Sequence, residues 1–406
     1  MNVPKLRFKE FNDKYNITKV SEIIDVIDGD RGNNYPKAND FYDSEFCLFL
    51  NAGNVTKNGF NFKNNQFITK EKDKKLRKGK LLINDIVLTT RGTVGNIAWF
   101  NEKTPYKNIR INSGMVINRI KESGHLLPEY LYSYMKSPVF ENQVNKMNYG
   151  SAQPQLTVSG INKFNIQYPT INEQKKVSTI MLLLDKKIEL QSKKIEDLKL
   201  FKKGLDIKIF NNKKMFDVGI IKEYFESDGG TALEKYIDEK GTYNIISIGN
   251  YTSDGKYYDN GQKVIYNEKT KMKLLSKNNL AMILNDKTTT GDIIGSTILI
   301  DEDNKYIYNQ RTQKLICKNI NAEYSWCFFN SKYFRDKVFR LSQGGTQIYV
   351  NYSQIENQKI FIPKNKKIEN DIVKSIFLIT ELIDNENDKF LKLQKLKKGL
   401  MQSMFV

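Results

Sequence analysis

The two halves of this chain repeat one another, and this duplication limits its possible folds more than any other feature. Residues 161–210 align with residues 355–405 at an offset of 194 to 195, and the tetrapeptide Lys-Lys-Gly-Leu occurs at 202–205 and again at 397–400. A repeat of about 195 residues is far longer than a solenoid unit, whose period is roughly 20 to 50 residues. The sequence therefore predicts a duplicated domain with its connector, which would form a pseudo-twofold molecule from one polypeptide.

A heptad pattern ends each half of the chain. Two rows of mostly apolar positions recur every seven residues and lie four residues apart in both copies. The rows comprise 177, 184, 191, 198, 205 and 181, 188, 195, 202, 209, and then 372, 379, 386, 393, 400 and 376, 383, 390, 397, 404. Their polar interruptions are equivalent, because Gln191 matches Glu386 and Lys202 matches Lys397. This spacing predicts one long helix in each copy, and we expect the two helices to form an antiparallel coiled coil.

The two predicted helices need each other, because an amphipathic helix gains most of its stability from burying its apolar face. Each should be about 55 Å long at 1.5 Å per residue. An antiparallel pair would carry one globular domain at each end and fix the distance between the domains. Gly204 and Gly399 lie inside the pattern and cost about 1 kcal/mol each relative to Ala. Fraying near the helix end and close approach of a partner backbone are both possible reasons for them.

The resulting fold class is α+β, with two mixed α/β domains joined by two long helices. We predict globular domains at residues 1–170 and 213–364, a central long helix at 171–212 and a C-terminal long helix at 365–406. In the first domain, short β-type runs at 45–50, 81–90, 96–100 and 114–120 precede a helix at 128–145. The second domain repeats this order with runs at 243–248, 280–284, 296–300 and 313–317 and a helix at 322–340.

The charge balance indicates a polyanionic partner. The 406 residues include 65 Lys and Arg against 46 Asp and Glu, a net charge of +19. Basic side chains gain affinity for nucleic acid by displacing counterions from phosphates. AT-rich codon usage is an alternative reason for abundant Lys, but it does not require the imbalance. The three cysteines lack CxxC spacing, so neither a zinc site nor a disulfide framework is expected. With no apolar run near the roughly 20 residues of a membrane span, we expect a cytoplasmic protein without membrane association.

The sequence offers little for an enzyme. It has one histidine, His125, no GxxxxGK[ST] phosphate loop and no Asn/Asp-Pro-Pro-Tyr/Phe tetrapeptide of an amino-methyltransferase. Acid-x-Lys triplets of the kind found in metal-dependent nucleases begin at Asp73 and Asp238, but in a chain this rich in Lys they arise by chance. We therefore expect no catalytic residue, no metal site and no cofactor in this chain.

Polar and basic loops between the predicted strands are the candidates for a binding surface. Arg and Lys suit guanine, and Asn and Gln suit adenine, through paired hydrogen bonds to base edges in the major groove. The loop at 93–96 aligns with 293–296 only after about six residues are inserted in the second copy, so the two halves differ in their loops. The predicted DNA-contact residues are Thr90, Arg91, Thr93, Arg110, Asn112, Gln153, Gln155, Asn285, Lys287, Thr288, Thr289, Arg311, Gln347 and Tyr349.

Four motifs together resemble the specificity subunit of type I restriction–modification systems. They are Pro-Lys-Leu-Arg-Phe at 4–8, Gly-Ser-Ala-Gln-Pro at 150–154, Ile-Asn-Glu-Gln-Lys-Lys-Val at 171–177 and Leu-Lys-Leu-Phe-Lys-Lys-Gly-Leu at 198–205. The resemblance covers the whole chain. The chain departs from the family pattern at Tyr15, where a Trp is common, and the second repeat also enters without a Trp, at Met215-Phe216-Asp217.

The resemblance implies a division of labour. Two target-recognition domains would each read one half of a split double-stranded DNA site, while the long helices act as a ruler and dock two methyltransferase subunits. Two restriction subunits would complete the complex. S-adenosylmethionine, ATP and Mg would bind to those partners, which would methylate adenine and cleave DNA. Two alternatives remain open, a scaffold that does not bind DNA and a metal-dependent nuclease with a diverged site.

Overall fold

The chain forms two compact units, and each contains part of both long helices. The computed structural model describes residues 3–122, 124–148 and 155–406. The first unit combines Met1–Gln191 with Lys389–Val406, and the second is Ser192–Asp388. The predicted α+β fold, with two mixed units and two long helices, is confirmed. Among the described residues, none of the helices combines the length and the apolar character that crossing a membrane requires.

The first unit is built on a four-stranded antiparallel sheet of order β2-β10-β7-β8. Its strands are β1 Asn16–Lys19, β2 Ile24–Asp28, β3 Cys47–Phe49, β4 Val55–Thr56, β5 Gly59–Phe60, β6 Phe67–Ile68, β7 Ile86–Thr89, β8 Ile97–Trp99, β9 Ile109–Arg110, β10 Met115–Ile120 and β11 Asn165–Tyr168. Its short helices are α1 Val20–Ile23, α2 Lys70–Lys75, α3 Pro128–Met135, α4 Pro138–Asn148 and α5 Val158–Ile161. A three-stranded sheet of order β6-β3-β9 contains the parallel pair β3 and β9.

Both faces of the four-stranded sheet are covered. Ile86 and Leu88 of β7 belong to a core that includes the aromatic residues of α3, whereas Val87 between them belongs to a second core. Successive side chains of a strand point to opposite faces, so a strand buried on both sides is apolar throughout. This explains the apolar run Ile86-Val87-Leu88 of β7, all of whose residues are buried.

The second unit repeats this plan with a four-stranded sheet of order β13-β20-β16-β18. Its strands are β12 Phe216–Ile220, β13 Phe225–Gly229, β14 Tyr243–Ile246, β15 Lys263–Val264, β16 Leu280–Ile283, β17 Asn285–Asp286, β18 Thr297–Leu299, β19 Tyr306–Tyr308, β20 Thr312–Cys317, β21 Ile348–Tyr349 and β22 Lys359–Pro363. Its short helices are α7 Ile221–Tyr224, α8 Glu268–Lys271, α9 Ala322–Phe329, α10 Lys332–Leu341 and α11 Tyr352–Glu356. Each of the four predicted runs contains one strand, namely β14, β16, β18 or β20, and β20 starts one residue earlier than predicted. The other strands of this unit were not predicted.

The prediction of one helix at 128–145 and one at 322–340 is wrong in one respect. Each of these segments forms two helices. In the first unit Pro138 begins α4, and proline has no N–H with which to continue the hydrogen bonds of α3. In the second unit the hydroxyl of Ser331 accepts a hydrogen bond from the N–H of Phe334 and starts α10. The apolar spacing continued across both breaks and concealed them.

The two long helices have the predicted heptad pattern. The first, α6, spans Ile171–Asn211, and the second, α12, spans Lys366–Met404. With 41 and 39 residues, each is about 60 Å long. Every position in the four predicted rows is buried or partly buried. The repeated apolar rows therefore are the faces that pack.

Within each unit the segments of α6 and α12 run antiparallel. In the first unit, Val177 and Met181 near the start of α6 share a core with Met401 and Met404 at the end of α12. In the second unit the ends are reversed. There, Leu205 and Ile209 near the end of α6 pack in one core with Ile372 and Ile376 near the start of α12.

Candidate nucleic-acid interface

Backbone hydrogen bonds gather the predicted residues of the first unit at one end of its main sheet. The N–H of Thr90, just after β7, donates to the carbonyl of Gly114 at 2.8 Å, and the N–H of Leu156 donates to the carbonyl of Thr90 at 3.0 Å. Three chain segments that are distant in sequence therefore meet. They bring Arg91, Asn112 and Gln155 into one loop cluster, which we call the first loop cluster.

Most of the predicted residues in this cluster are accessible. Arg91, Thr93 and Gln155 are exposed, and Asn112 is partly buried. The side-chain oxygen of Asn112 accepts a hydrogen bond from the N–H of Gly114 at 2.8 Å, which fixes the direction of its amide group. Thr90 differs, because only 3 % of its surface is exposed. Thr90 therefore serves the cluster through its backbone, and its side chain is not placed to contact DNA.

Arg110 has a structural environment that does not suit the predicted DNA contact. Its side chain is 6 % exposed, and its Nε donates to Asp73 Oδ1 at 2.6 Å. The two Nη groups donate to the backbone carbonyls of Lys78, Asp73 and Leu76 at 2.7 to 3.0 Å. Since the guanidinium is used inside the protein, we remove Arg110 from the set of DNA contacts.

Asp73, the first residue of the nuclease alternative, belongs to the same buried ion pair. Burial opposes its ionisation, but the hydrogen bonds and charges of Lys80 and Arg110 outweigh burial and lower its pKa. Asp238, the other acid of that alternative, is exposed and accepts a hydrogen bond from the N–H of Lys240. Among the described residues, no three His, Cys, Asp or Glu side chains form a group that could hold a metal ion.

Two further arginines lie near the first loop cluster and were missed in the sequence. Arg31 donates to Asp28 and lies 3.4 Å from the carbonyl oxygen of Ser113, beside Asn112. Arg77 is 78 % exposed and lies 3.8 Å from Asp30. Neither follows a predicted strand of its half. Arg77 lies in a Lys-rich stretch at 70–80, whereas Arg31 is the only basic residue between Lys19 and Lys37 and gave no sequence signal.

The second unit has an equivalent cluster made by the same kind of backbone hydrogen bonds. The N–H of Leu284 donates to the carbonyl of Arg311 at 2.8 Å, and the N–H of Val350 donates to the carbonyl of Leu284 at 2.9 Å. Leu284 and Val350 are the counterparts of Thr90 and Leu156 at an offset of 194. We call the loops around Leu284, Arg311 and Val350 the second loop cluster.

A two-stranded ribbon is specific to the second loop cluster among the described residues. Strands β17 and β21 pair antiparallel, which sets Asn285 directly opposite Tyr349. Arg311 lies beside them and has a left-handed backbone with φ of 69°. Tyr349, Gln347 and Arg311 are exposed, and Asn285 is partly buried. The structure therefore brings together four predicted residues that are distant in the sequence, since Asn285 and Gln347 are 62 positions apart.

The loop after β17 is closed on itself by Asp286. One oxygen of its carboxylate accepts hydrogen bonds from the N–H and the hydroxyl of Thr288, and the other accepts from the N–H of Ile293 at 2.9 Å. Burial opposes the charge of Asp286, but these hydrogen bonds outweigh it and lower its pKa. Lys287, Thr288 and Thr289 are exposed on this loop. The last predicted residue, Gln153, lies outside the described residues.

Comparisons with known proteins agree on one family. The family model described as type I restriction modification DNA specificity domain matches residues 12–200 and 213–395. The specificity subunits of the type I restriction enzymes MjaVIII and MjaIX from Methanocaldococcus jannaschii are each 24 % identical to this chain. The MjaVIII alignment covers 78 % of this chain and 77 % of the relative, and the MjaIX alignment covers 79 % and 76 %.

Solved structures share the fold. The crystal structure of a type I restriction–modification S subunit from M. genitalium covers 100 % of this chain and 99 % of its own, with a TM-score of 0.63 at 15 % identity. A structure from work on complex assembly and conformational transition of the type I system covers 98 % and 99 %, with a TM-score of 0.59 at 12 % identity. Because the family model matches both halves and most of the chain, this protein belongs to the type I restriction–modification DNA specificity family and carries two copies of its domain.

Proposed function

We propose that each unit reads one half of a bipartite double-stranded DNA site through its loop cluster. One observation carries the proposal. Equivalent backbone hydrogen bonds, from Leu156 to Thr90 and from Val350 to Leu284, build both clusters, yet the clusters present different side chains. A shared frame with different exposed Arg, Asn, Lys, Gln and Tyr side chains suits two readers of different base sequences.

A domain exchange tests whether the two units read their half-sites separately. Replacing residues 1–165 by the corresponding domain of another family member should change one half of the methylated site and leave the other half intact. Methylation profiling of DNA from cells that express the chimera with its methyltransferase reports both halves and the gap between them. A change in both halves would contradict separate reading by the two units.

We further propose that α6 and α12 set the length of the unread spacer. The half-sites would lie about one helical turn of DNA apart, roughly 34 Å. Inserting four residues, about one helical turn, into the middle of α6 should lengthen the spacer, and the same insertion in a surface loop is the control. An unchanged spacer would count against this role.

The partners follow from the same proposal. Two methyltransferase subunits would dock on the long helices, and two restriction subunits would complete a cytoplasmic complex. The chain itself would be non-enzymatic, and S-adenosylmethionine, ATP and Mg would be bound by the partners. A methyltransferase would reach adenine by flipping the base out of the duplex.

The alternatives give different results with the purified chain. A scaffold that does not bind DNA would show no steep decrease of DNA affinity with salt, whereas phosphate contacts produce such a decrease. A nuclease would cleave DNA with a divalent metal in the absence of partners, and D73N and D238N would abolish that cleavage.

A further inference from the structure

The loop that differs most between the two clusters runs from 286 to 295 in the second unit. It is about six residues longer than its counterpart after β7, and its first part, directly after β17, carries the exposed residues Lys287, Thr288 and Thr289. A longer loop has more conformations available to it, so a defined shape requires additional contacts. The structure provides these contacts from α10.

Arg335 of α10 holds the returning half of this loop. Its Nε donates to the carbonyl of Ile294 at 2.8 Å, and one Nη donates to the carbonyl of Asp292 at 2.8 Å. The other Nη donates to the carbonyl of Ser253 at 3.2 Å. One planar guanidinium thus connects α10 to two points of the loop and to a neighbouring turn.

The guanidinium remains charged while it does so. Burial lowers the pKa of Arg335 to about 10, and the nearby carboxylates of Asp286 and Asp292 oppose this change. At neutral pH the side chain is therefore protonated and donates from all three nitrogens. Hydrogen bonds from a charged donor are stronger than those between neutral groups.

The corresponding position in the first half is not basic. An offset of 194 places Glu141 opposite Arg335, and both residues lie in the first turn of their helices, after Ser137 and Ser331. Glu141 is exposed. The arginine thus accompanies the longer loop, and the half with the shorter loop has an acid at the same place.

A second contact fixes the middle of the loop. Gly291 has a φ of +71°, and a Cβ built on it would lie under 3.0 Å from the ring of Phe339. Phe339 is one helical turn after Arg335 on the same helix. With Asp286 closing the loop from inside, α10 supports it from outside at two places.

We infer that Arg335 is a positioning residue that holds loop 286–295 in the conformation that reads the second half-site. The inference rests on the proposed DNA-recognition function and adds a residue outside the loop clusters to it. Holding a recognition loop in its bound shape before DNA arrives lowers the entropic cost of binding. Since the donors of Arg335 are used on carbonyl groups, its effect on DNA acts through the loop.

The test is selection from a pool of DNA duplexes with a random central region, using the full chain and three variants. R335M removes the charge and the hydrogen bonds while keeping a long side chain, and R335K keeps the charge with a different geometry. R340M is the matched control, because Arg340 is exposed five residues later on the same helix. The half-site that changes on exchange of residues 1–165 is assigned to the first unit.

We expect R335M to reduce base discrimination in the second half-site about tenfold, with the first half-site within about twofold of wild type. The discrimination of R335K in the second half-site should lie between that of R335M and that of the wild type. R340M should keep discrimination in both halves, because Arg340 is exposed and lies five residues beyond the side chain that holds the loop. Hydrogen exchange of amides 286–295 should rise in R335K and R335M and not in R340M.

Two results would overturn the inference. The first is wild-type discrimination in the second half-site by R335M. The second is an equal loss in both halves with unchanged exchange of amides 286–295 in R335K, which would indicate a general effect on folding. A wild-type chain that enriches no motif in either half would instead overturn the proposed function and this inference with it.

Discussion

Lys397 of α12 forms an ion pair with Asp185 of α6, and the two side chains are only 16 % and 30 % exposed between the helix segments of the first unit. Lys136 of the same unit lies 3.4 Å from the other oxygen of Asp185. The repeat partner of Lys397 is Lys202, which instead lies over the ring of Trp326 at 5.8 Å in the second unit. A polar residue in an apolar seam commonly specifies helix register at some cost in stability.

This arrangement predicts that Asp185→Ala destabilises the first unit. The change leaves Lys397 and Lys136 close together without their shared carboxylate, so we expect the free energy of unfolding to decrease by about 2 kcal/mol. Urea unfolding of the full chain measures it. Glu189→Ala removes the exposed pair with Lys186, where both side chains are at least 60 % exposed, and should change stability by less than about 0.5 kcal/mol. Equal effects of the two changes would argue against a role for Asp185.

Arg31 and Arg110 should behave in opposite ways. Arg110→Ala leaves the buried carboxylate of Asp73 with only Lys80, so we expect a loss of about 3 kcal/mol in urea unfolding. Arg31→Ala removes a half-exposed side chain and should leave stability nearly unchanged. It should lower the affinity for DNA and make that affinity less dependent on salt. A stable Arg110→Ala protein with reduced DNA affinity would reverse this assignment.

The contrast between these arginines shows which features the sequence could predict. The heptad rows depend on a fixed spacing within one helix, so their burial was predictable from Val177 to Met404. The environment of Arg110 depends on Asp73, 37 residues earlier in the chain and in no periodic relation to it. Such a contact exists only after the sheet forms. The break before Pro138 was a local signal, and the apolar spacing across it hid that signal.

Glycine at two positions should be required for the shape of the loop clusters. A Cβ built on Gly29 would lie under 3.0 Å from the carbonyl of Asn112, and one on Gly230 equally close to the carbonyl of Asn309. Gly29→Ala should therefore reduce discrimination in the first half-site, and Gly230→Ala in the second, in the duplex selection. Gly345→Ala is the control, because no described atom lies within 4 Å of its added Cβ. Loss of both half-sites in either variant would contradict independent clusters.

Gly204 and Gly399 should tolerate alanine, unlike Gly29 and Gly230, because both are exposed within long helices. A Cβ built on either meets no described atom within 4 Å, so the structure gives no sign of a close backbone approach within this chain. Gly204→Ala and Gly399→Ala should each raise the free energy of unfolding by about 0.5 to 1 kcal/mol through helix propensity. Urea unfolding of the chain alone checks this. If the stabilised chain binds the methyltransferase less well, these glycines admit a partner backbone.

Asp206 makes the stability of the second unit depend on pH. It is 7 % exposed on α6, and burial raises its pKa from 3.8 to about 6, with the charge of Lys202 opposing the shift. The folded protein therefore binds this proton more tightly than the unfolded chain. The resulting stabilisation is fully present below pH 3.8 and is lost as the pH rises through about 6.

Asp206→Asn should consequently be more stable than the wild type at pH 7 to 8, by about 1 to 3 kcal/mol, because its neutral amide leaves no charge buried at this position. The difference should shrink as the pH falls from 7 to 4, where the wild-type carboxyl becomes neutral. Urea unfolding across this range measures both chains. Asp197→Asn, an exposed site on the same helix, is the control and should show no such dependence. A difference that stays constant from pH 4 to 8 would mean that Asp206 does not titrate in this range, and that its contribution to the fold is steric.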